Sequence, residues 1–337
     1  MPFIDDILNY KSLSIVGMEK NTGKTETLNY IIRRLHQSKK NIAVTSIGID
    51  GECIDQVTNT QKPEIELFQD MVFITSEKHY HEKRLVSEIL NVSTQQTALG
   101  RLITGRVRVG GKIILSGASN TSWLKKVIQE MNQYHVNTTL VDGALSRRSF
   151  GSPSVTESMI LTTGAALSPN IPKIVQKTKF LYSLINLPQH ETSLQDNLLE
   201  IENGIYSIDK EDNLHNLHIP SSFLIDQHKE KLSMHGNILF VSGVVSDKLL
   251  DTLRLQKNIT EILVLVKDFT RIFASPESVH AFLKKGGTIK VLLKTKLIAL
   301  CINPLSPTGY VVDSNKLKDS LAESLHIPIY NIKSDCL

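Results

Sequence analysis

Ile15-Val16-Gly17-Met18-Glu19-Lys20-Asn21-Thr22-Gly23-Lys24-Thr25 is the stretch that decides how this chain is read. An apolar strand end runs into a glycine-opened loop, and Gly-Lys-Thr then starts a helix. That order of residue types suits a triphosphate. Consecutive backbone N–H groups and the positive end of the helix dipole face the phosphate oxygens, the Lys24 ammonium reaches the β/γ-phosphates, and Thr25 Oγ1 is placed to ligate magnesium. Gly17, Asn21, Thr22, Gly23, Lys24, Thr25 and Glu26 are therefore the nucleotide-binding candidates, with ATP or GTP as the nucleotide. Five residues separate Gly17 from Gly23, one more than in the common phosphate loop, and Met18 takes the usual first-glycine position.

The flanks support this reading. Residues 24–39 form an amphipathic helical pattern, with Leu28, Ile31, Ile32 and Leu35 on one face and Arg33, Arg34 and Lys39 off it. Residues 41–48 follow as a second buried strand. Strand, loop, helix and strand make one βαβ unit, which predicts an α/β fold: a mainly parallel sheet flanked by helices, like that of P-loop NTPases. Farther on, Asn137-Thr138-Thr139-Leu140-Val141-Asp142-Gly143 is a β-branched run ending in an acid, the form of a Walker B strand. A carboxylate at that place holds magnesium, directly or through water, next to Thr25. Val-Asp-Gly ends many ordinary strands as well, so the weight of Asp142 comes from the phosphate loop upstream.

Two polar loops have open readings. Gly48-Ile49-Asp50-Gly51-Glu52 follows a strand's C-terminal end, where doubly wound sheets line their ligand crevice. Asp50 and Glu52 are thus candidates for water positioning or a switch loop, or they form an ordinary acidic turn. Ser146, Arg147 and Arg148 meet phosphate or a partner's acidic surface, or make a solvated basic turn. Lys24, Asp142, Asp50 and Arg147 are the catalytic candidates, for phosphoryl transfer alone.

Composition bounds the partners. The 337 residues are 41% hydrophobic and 21% charged, enough for one large α/β domain or two smaller ones. The excess of 38 basic over 34 acidic residues is small and dispersed, and aromatics make up 6%, so no nucleic-acid platform is expected. Cys53, Cys301 and Cys336 are far apart and odd in number, which points to a reducing cytoplasm. Acids at positions 5 and 6 are unlike a signal peptide, and no apolar run reaches membrane-spanning length.

The coarse pattern places a strand at 71–75, a helix at about 82–90, and a hairpin with arms 99–109 and 112–116 turning at Gly110-Gly111. Gly117-Ala118-Ser119-Asn120 leads into a helix carrying Trp123, Leu124, Val127, Ile128 and Met131. His79 and His81 read as a surface turn. Ser152-Pro153 reads as a helix start, before the small-residue stretch 161–166. The expected organisation is a nucleotide-binding domain over 1–170, a connecting subdomain over 171–235 and a further α/β portion over 236–337. In that last portion strands at 237–242, 261–267, 288–293 and 297–302 alternate with helices at 246–255, 276–284 and 316–325. Lys267-Asp268 and Asn303-Pro304 end two of these strands as candidate ligand or base contacts.

Taken together, residues 15–25, Val44 to Glu52, Val141 to Arg147, and Ser152-Pro153 with Thr162-Thr163-Gly164-Ala165 resemble the KamB-type reactivase subunit of lysine 5,6-aminomutase. The resemblance covers mainly residues 12–170 and the Asn303-Pro304 region. It implies a maintenance role for an enzyme that uses adenosylcobalamin and pyridoxal phosphate. The resemblance further implies that nucleotide binding opens the mutase so that damaged cofactor leaves, in concert with a larger MutS-like ATPase subunit. Such a role needs a nucleotide state with differential affinity for an open mutase. The long spacer also resembles dethiobiotin synthetase, which implies an ATP-dependent small-molecule ligase as the alternative. A fold retained without hydrolysis, in a structural subunit, is the third.

Overall fold

Ser12-Leu13-Ser14-Ile15-Val16-Gly17 is buried at every position because it runs through the middle of a ten-stranded sheet as β1 (Ser12–Gly17). The computed structural model describes residues 3–47, 64–144, 155–331 and 333–334. In chain order the first part comprises α1 (Phe3–Ile7), β1, α2 (Lys24–Gln37), β2 (Ile42–Ser46), β3 (Ile65–Leu67), β4 (Val72–Ser76) and α3 (Glu77–His81). Then follow β5 (Arg84–Thr97), β6 (Gly100–Ile113), α4 (Thr121–Glu130), β7 (Thr138–Ala144), β8 (Ser158–Gly164) and α5 (Ile171–Ile185).

The chain then builds a second unit, Phe180–Lys294, before Thr295–Leu337 rejoins Met1–Lys179. The second unit contains α6 (Gln195–Glu200), β9 (Ile205–Ile208), β10 (Leu214–Ile219), β11 (Ile238–Val241), α7 (Asp247–Arg254), β12 (Leu263–Val266), α8 (Pro276–Lys284) and β13 (Thr288–Val291). The returning segment supplies β14 (Lys296–Asn303), α9 (Ser314–Ala322) and β15 (Ile329–Asn331).

The main sheet is mixed. From β15 through β14, β8, β1, β7 and β2 to β4 the strands run parallel, whereas β6 is antiparallel to β4, β3 and β5. The central parallel strands are covered on both faces, as a parallel sheet requires. Leu28, Ile31, Ile32 and Leu35 of α2 pack with Ile42, Val44 and Leu140 on one face. Trp123, Leu124 and Val127 of α4 pack with Ala43 and Val141 on the other. Neighbouring strand residues thus serve opposite layers, following the two-residue side-chain period. Burying the four apolar side chains of α2 contributes roughly 6–12 kcal/mol before entropy is counted.

Several sequence expectations are corrected. Residues 82–90 are not a helix: only Glu77–His81 is helical, and Arg84–Thr97 is a strand that pairs along β6. Pairing across the sheet overrides the local helical pattern there. The hairpin therefore turns between Thr97 and Gly100, and Gly110-Gly111 lies inside β6. Those glycines serve close backbone approach, since a Cβ at Gly111 would stand 1.9 Å from the Arg84 carbonyl oxygen. His79 is fully buried, with Nδ1 3.0 Å from Ser116 Oγ, rather than on a surface turn. Residues 158–164 form the fully buried strand β8 beside β1. Ser152-Pro153 lies outside the described residues.

The expected break at 235 falls between β10 and β11, two strands of one five-stranded sheet ordered β10-β9-β11-β12-β13. That sheet is built around Phe240, Leu265 and Leu292, and β11, β12 and β13 are parallel. The strand expected at 297–302 is β14 of the main sheet, so the 236–337 portion is shared between the two units. Among the described residues no helix is long and apolar enough to cross a membrane.

Candidate functional site

The C-terminal edge of the parallel strands gathers the polar residues. Connections leave β1 toward β2 on one side, while β8, β14 and β15 extend on the other. Such a reversal places a ligand crevice outside the strand ends. Gly17 closes β1, and the loop 18–23 folds back over it: a Cβ on Gly17 would stand 2.6 Å from Thr22 Oγ1. Gly23 follows at φ 90°, a left-handed conformation that glycine adopts without strain, and α2 begins there with no side chain capping it. A helix start left uncapped offers its first amides to an anion.

Lys24 and Asp142 meet at this edge. In the register Asp142 stands opposite Ile15 of β1 and Ser46 of β2, so β7 carries its acid alongside the loop. Lys24 Nζ is 3.1 Å from Asp142 Oδ1, with the two side chains 25% and 13% exposed. Oδ1 is buried and accepts no well-directed hydrogen bond, so the contact is one of charge. The Asp142 backbone carbonyl is already engaged, accepting from Ile47 N at 3.1 Å and Ser46 Oγ at 3.3 Å. The carboxylate is the part of this residue left for a ligand. A pair of this intermediate exposure is worth roughly 1–3 kcal/mol, little enough for a polyanion to draw the lysine away.

The remaining predicted residues are placed as follows. Thr25 is half-buried in the first turn of α2, and Glu26 is exposed in the same turn. Asn21 is exposed at φ 63°, and Thr22 is fully buried, its hydroxyl donating to the Glu19 carbonyl at 2.9 Å. Met18 is half-buried, with Thr178 Oγ1 of α5 3.5 Å from its sulfur. Asp50, Glu52, Ser146, Arg147 and Arg148 lie outside the described residues.

The donor set fits a magnesium–triphosphate pair. Among the described residues no group of three or more His, Cys, Asp or Glu is arranged to hold a metal by itself. Magnesium at phosphates is held by one or two protein oxygens, with water and phosphate completing the shell, and the Thr25 hydroxyl and the Asp142 carboxylate are the oxygens that would serve here. Lys267 and Asp268 are not arranged this way. Lys267 Nζ donates to the Leu199 carbonyl at 2.7 Å, and Asp268 Oδ1 accepts from Thr270 N at 2.9 Å.

Thr162 and Asn303 also reach the loop. Met18 N donates to the Thr162 carbonyl at 3.0 Å, Thr162 Oγ1 is 2.9 Å from Thr22 Oγ1, and Asn303 Nδ2 donates to the Asn21 carbonyl at 3.1 Å. A polar residue closing an apolar strand is the sequence signal for Asn303, whereas Thr162 shows only as part of the small-residue stretch 161–166. Neither signal distinguishes a ligand contact from a loop contact without the fold. Comparison with protein-family models, curated proteins and solved structures gave no match to this chain.

Proposed function

We propose that this chain binds a nucleoside triphosphate with magnesium at the 17–25 loop, in a fold of P-loop NTPase type. The observation that carries this reading is the Lys24–Asp142 pair at 3.1 Å, at the uncapped start of α2. It sets a cation and a carboxylate beside each other next to the residue that carries the Thr25 hydroxyl, the set that a Mg²⁺-bound phosphate chain demands. When bound, the magnesium ion neutralises phosphate charge. Lys24 would turn from Asp142 to the phosphate, Thr25 and Asp142 would hold the metal, and the loop amides would orient the oxygens. Hydrolysis of ATP or GTP is the chemistry this set supports.

The resemblance supplies the biological role, which is ATP-driven release of damaged cofactor from a lysine 5,6-aminomutase in the cytoplasm, with a MutS-like ATPase as partner. Calorimetric titration of Mg·ATP and Mg·GTP tests the site. The native chain is expected to bind one of them, and absence of binding to both sinks the reading. The role is tested with an aminomutase inactivated by turnover. Given this protein, the partner, ATP, magnesium and fresh adenosylcobalamin, activity should return, and it should not return without ATP. Full recovery with the partner ATPase alone removes this chain from the reaction.

A further inference from the structure

The spacer between Gly17 and Gly23 is longer than usual, and a longer loop has more conformations to lose when it closes on phosphate. Here the spacer is tied at positions 18, 21 and 22 to strands on the side of β1 away from Asp142, and at 18 and 19 it also meets Thr178 and Lys177 of α5. β8 lies next to β1, and β14 lies beyond it. Because the single Thr22 proton goes to the Glu19 carbonyl, Thr162 is the donor in the 2.9 Å contact between the two hydroxyls. Thr162 thus holds Thr22 by its side chain and Met18 by its carbonyl.

Asn303 uses its whole amide. Nδ2 donates to the Asn21 carbonyl at 3.1 Å, and Oδ1 accepts from Leu305 N at 3.1 Å. Both ends of the amide are engaged, which fixes its plane and sets it to hold the loop rather than to read a nucleobase. The tie reaches Asn21 at φ 63°, a conformation that an asparagine holds more readily than most residues but that still needs support. β14 itself is seated tightly on β8, for a Cβ at Gly164 would stand 2.0 Å from the Asn303 carbonyl oxygen.

We infer that Thr162 and Asn303 are positioning residues of the phosphate site, holding the long spacer in its binding shape before any ligand arrives. The inference rests on the nucleotide reading above. It makes the segment that returns after the second unit part of the nucleotide site, although residues 295–337 contain no phosphate-loop sequence. Each tie, as an ordinary hydrogen bond, is worth roughly three- to tenfold in ligand affinity if it pre-orders the loop.

The full-length chain tests this in four forms: native, Thr162→Val, Thr162→Ser and Asn303→Ala. Two quantities are read in each, the amide hydrogen exchange of residues 18–25 without nucleotide and the calorimetric affinity for Mg·ATP. Thr162→Val and Asn303→Ala should each speed exchange in the loop while leaving that of α9 unchanged, and weaken Mg·ATP binding roughly three- to tenfold. Thr162→Ser keeps the hydroxyl and should stay within about twofold of native. If the native chain binds Mg·ATP and both variants bind it equally well, the inference fails and the nucleotide reading survives. Faster loop exchange with unchanged affinity also overturns it. A native chain that takes no nucleotide overturns the functional reading and this inference together.

Discussion

Two parallel strand edges occur in this chain, one in each unit, and α2 with Asp142 on the first contrasts with α7, α8 and Asp268 on the second. In the second unit Ser246 caps α7, accepting from Leu249 N, and Ser275 caps α8, accepting from Ser278 N. Asp268, after β12, is buried and turned onto its own chain, taking the Thr270 amide and hydroxyl. Lys267 beside it donates to a backbone carbonyl, and burial, then the neighbouring Arg271, pushes its ammonium below the usual lysine range. In the first unit α2 starts on Gly23 with no side-chain cap, and Asp142 Oδ1 faces the charge of Lys24. Side-chain caps consume the groups that a ligand would use. An uncapped start with a charge pair beside it leaves them to be used.

The sharpest way to break this contrast is to remove the lysine from each edge. Lys24→Ala should weaken triphosphate binding by roughly 2 kcal/mol or more, about thirtyfold, in calorimetry. Lys267→Ala should leave binding unchanged and lower stability instead, read as the denaturation midpoint. Equal effects of the two on binding would erase the difference between the edges. Glycine at the helix start comes next. Gly23→Ala forces a side chain into left-handed backbone and should cost about 1–2 kcal/mol in stability, with a parallel loss of nucleotide affinity. Ser246→Ala, by contrast, should cost about 1 kcal/mol in stability and nothing in binding.

The smallest expected effect is one of pH, confined to the second unit. Asp209 is held well below the usual carboxylate range, first by the His215 ring 2.8 Å away and then by the Asn213 amide. A depressed carboxylate stabilises the fold above its unfolded pKa of about 4 and loses that contribution as pH falls below it. The stability gap between native protein and Asp209→Asn, followed by circular dichroism, should therefore narrow from about pH 4 downward. A gap that widens in acid would reverse the assignment.

The first unit is legible in the sequence where local pattern and final environment agree. Residues 15–25 contain strand end, loop and helix start in contiguous sequence, and the 3.6-residue pattern of α2 and the apolar run of β2 need no distant partner to be recognised. Asp142 is legible through residue type and position, but its pairing with Lys24 spans more than a hundred residues and only the sheet order brings it about. β5 escapes a local reading because Val86, Ile89 and Val92 do not show which strand they pair with. The return of residues 295–337 to the main sheet is hidden for a similar reason: a strand pattern does not name its sheet. Asn303 is visible as a polar strand end and Thr162 only as part of a small-residue stretch, and their grip on the loop depends on β8 and β14 being neighbours.

Lys24 and Asp142 belong, in this reading, to one magnesium–triphosphate site, and Asp142→Asn tests that most directly. ATP affinity is measured by calorimetry with and without magnesium, in native protein and in the variant, with the melting temperature as a control. Magnesium should tighten binding to the native chain. In Asp142→Asn that magnesium increment should largely vanish while the melting temperature shifts by only a few degrees. An unchanged magnesium increment together with a large fall in melting temperature would show that Asp142 serves the fold alone, and would contradict the account.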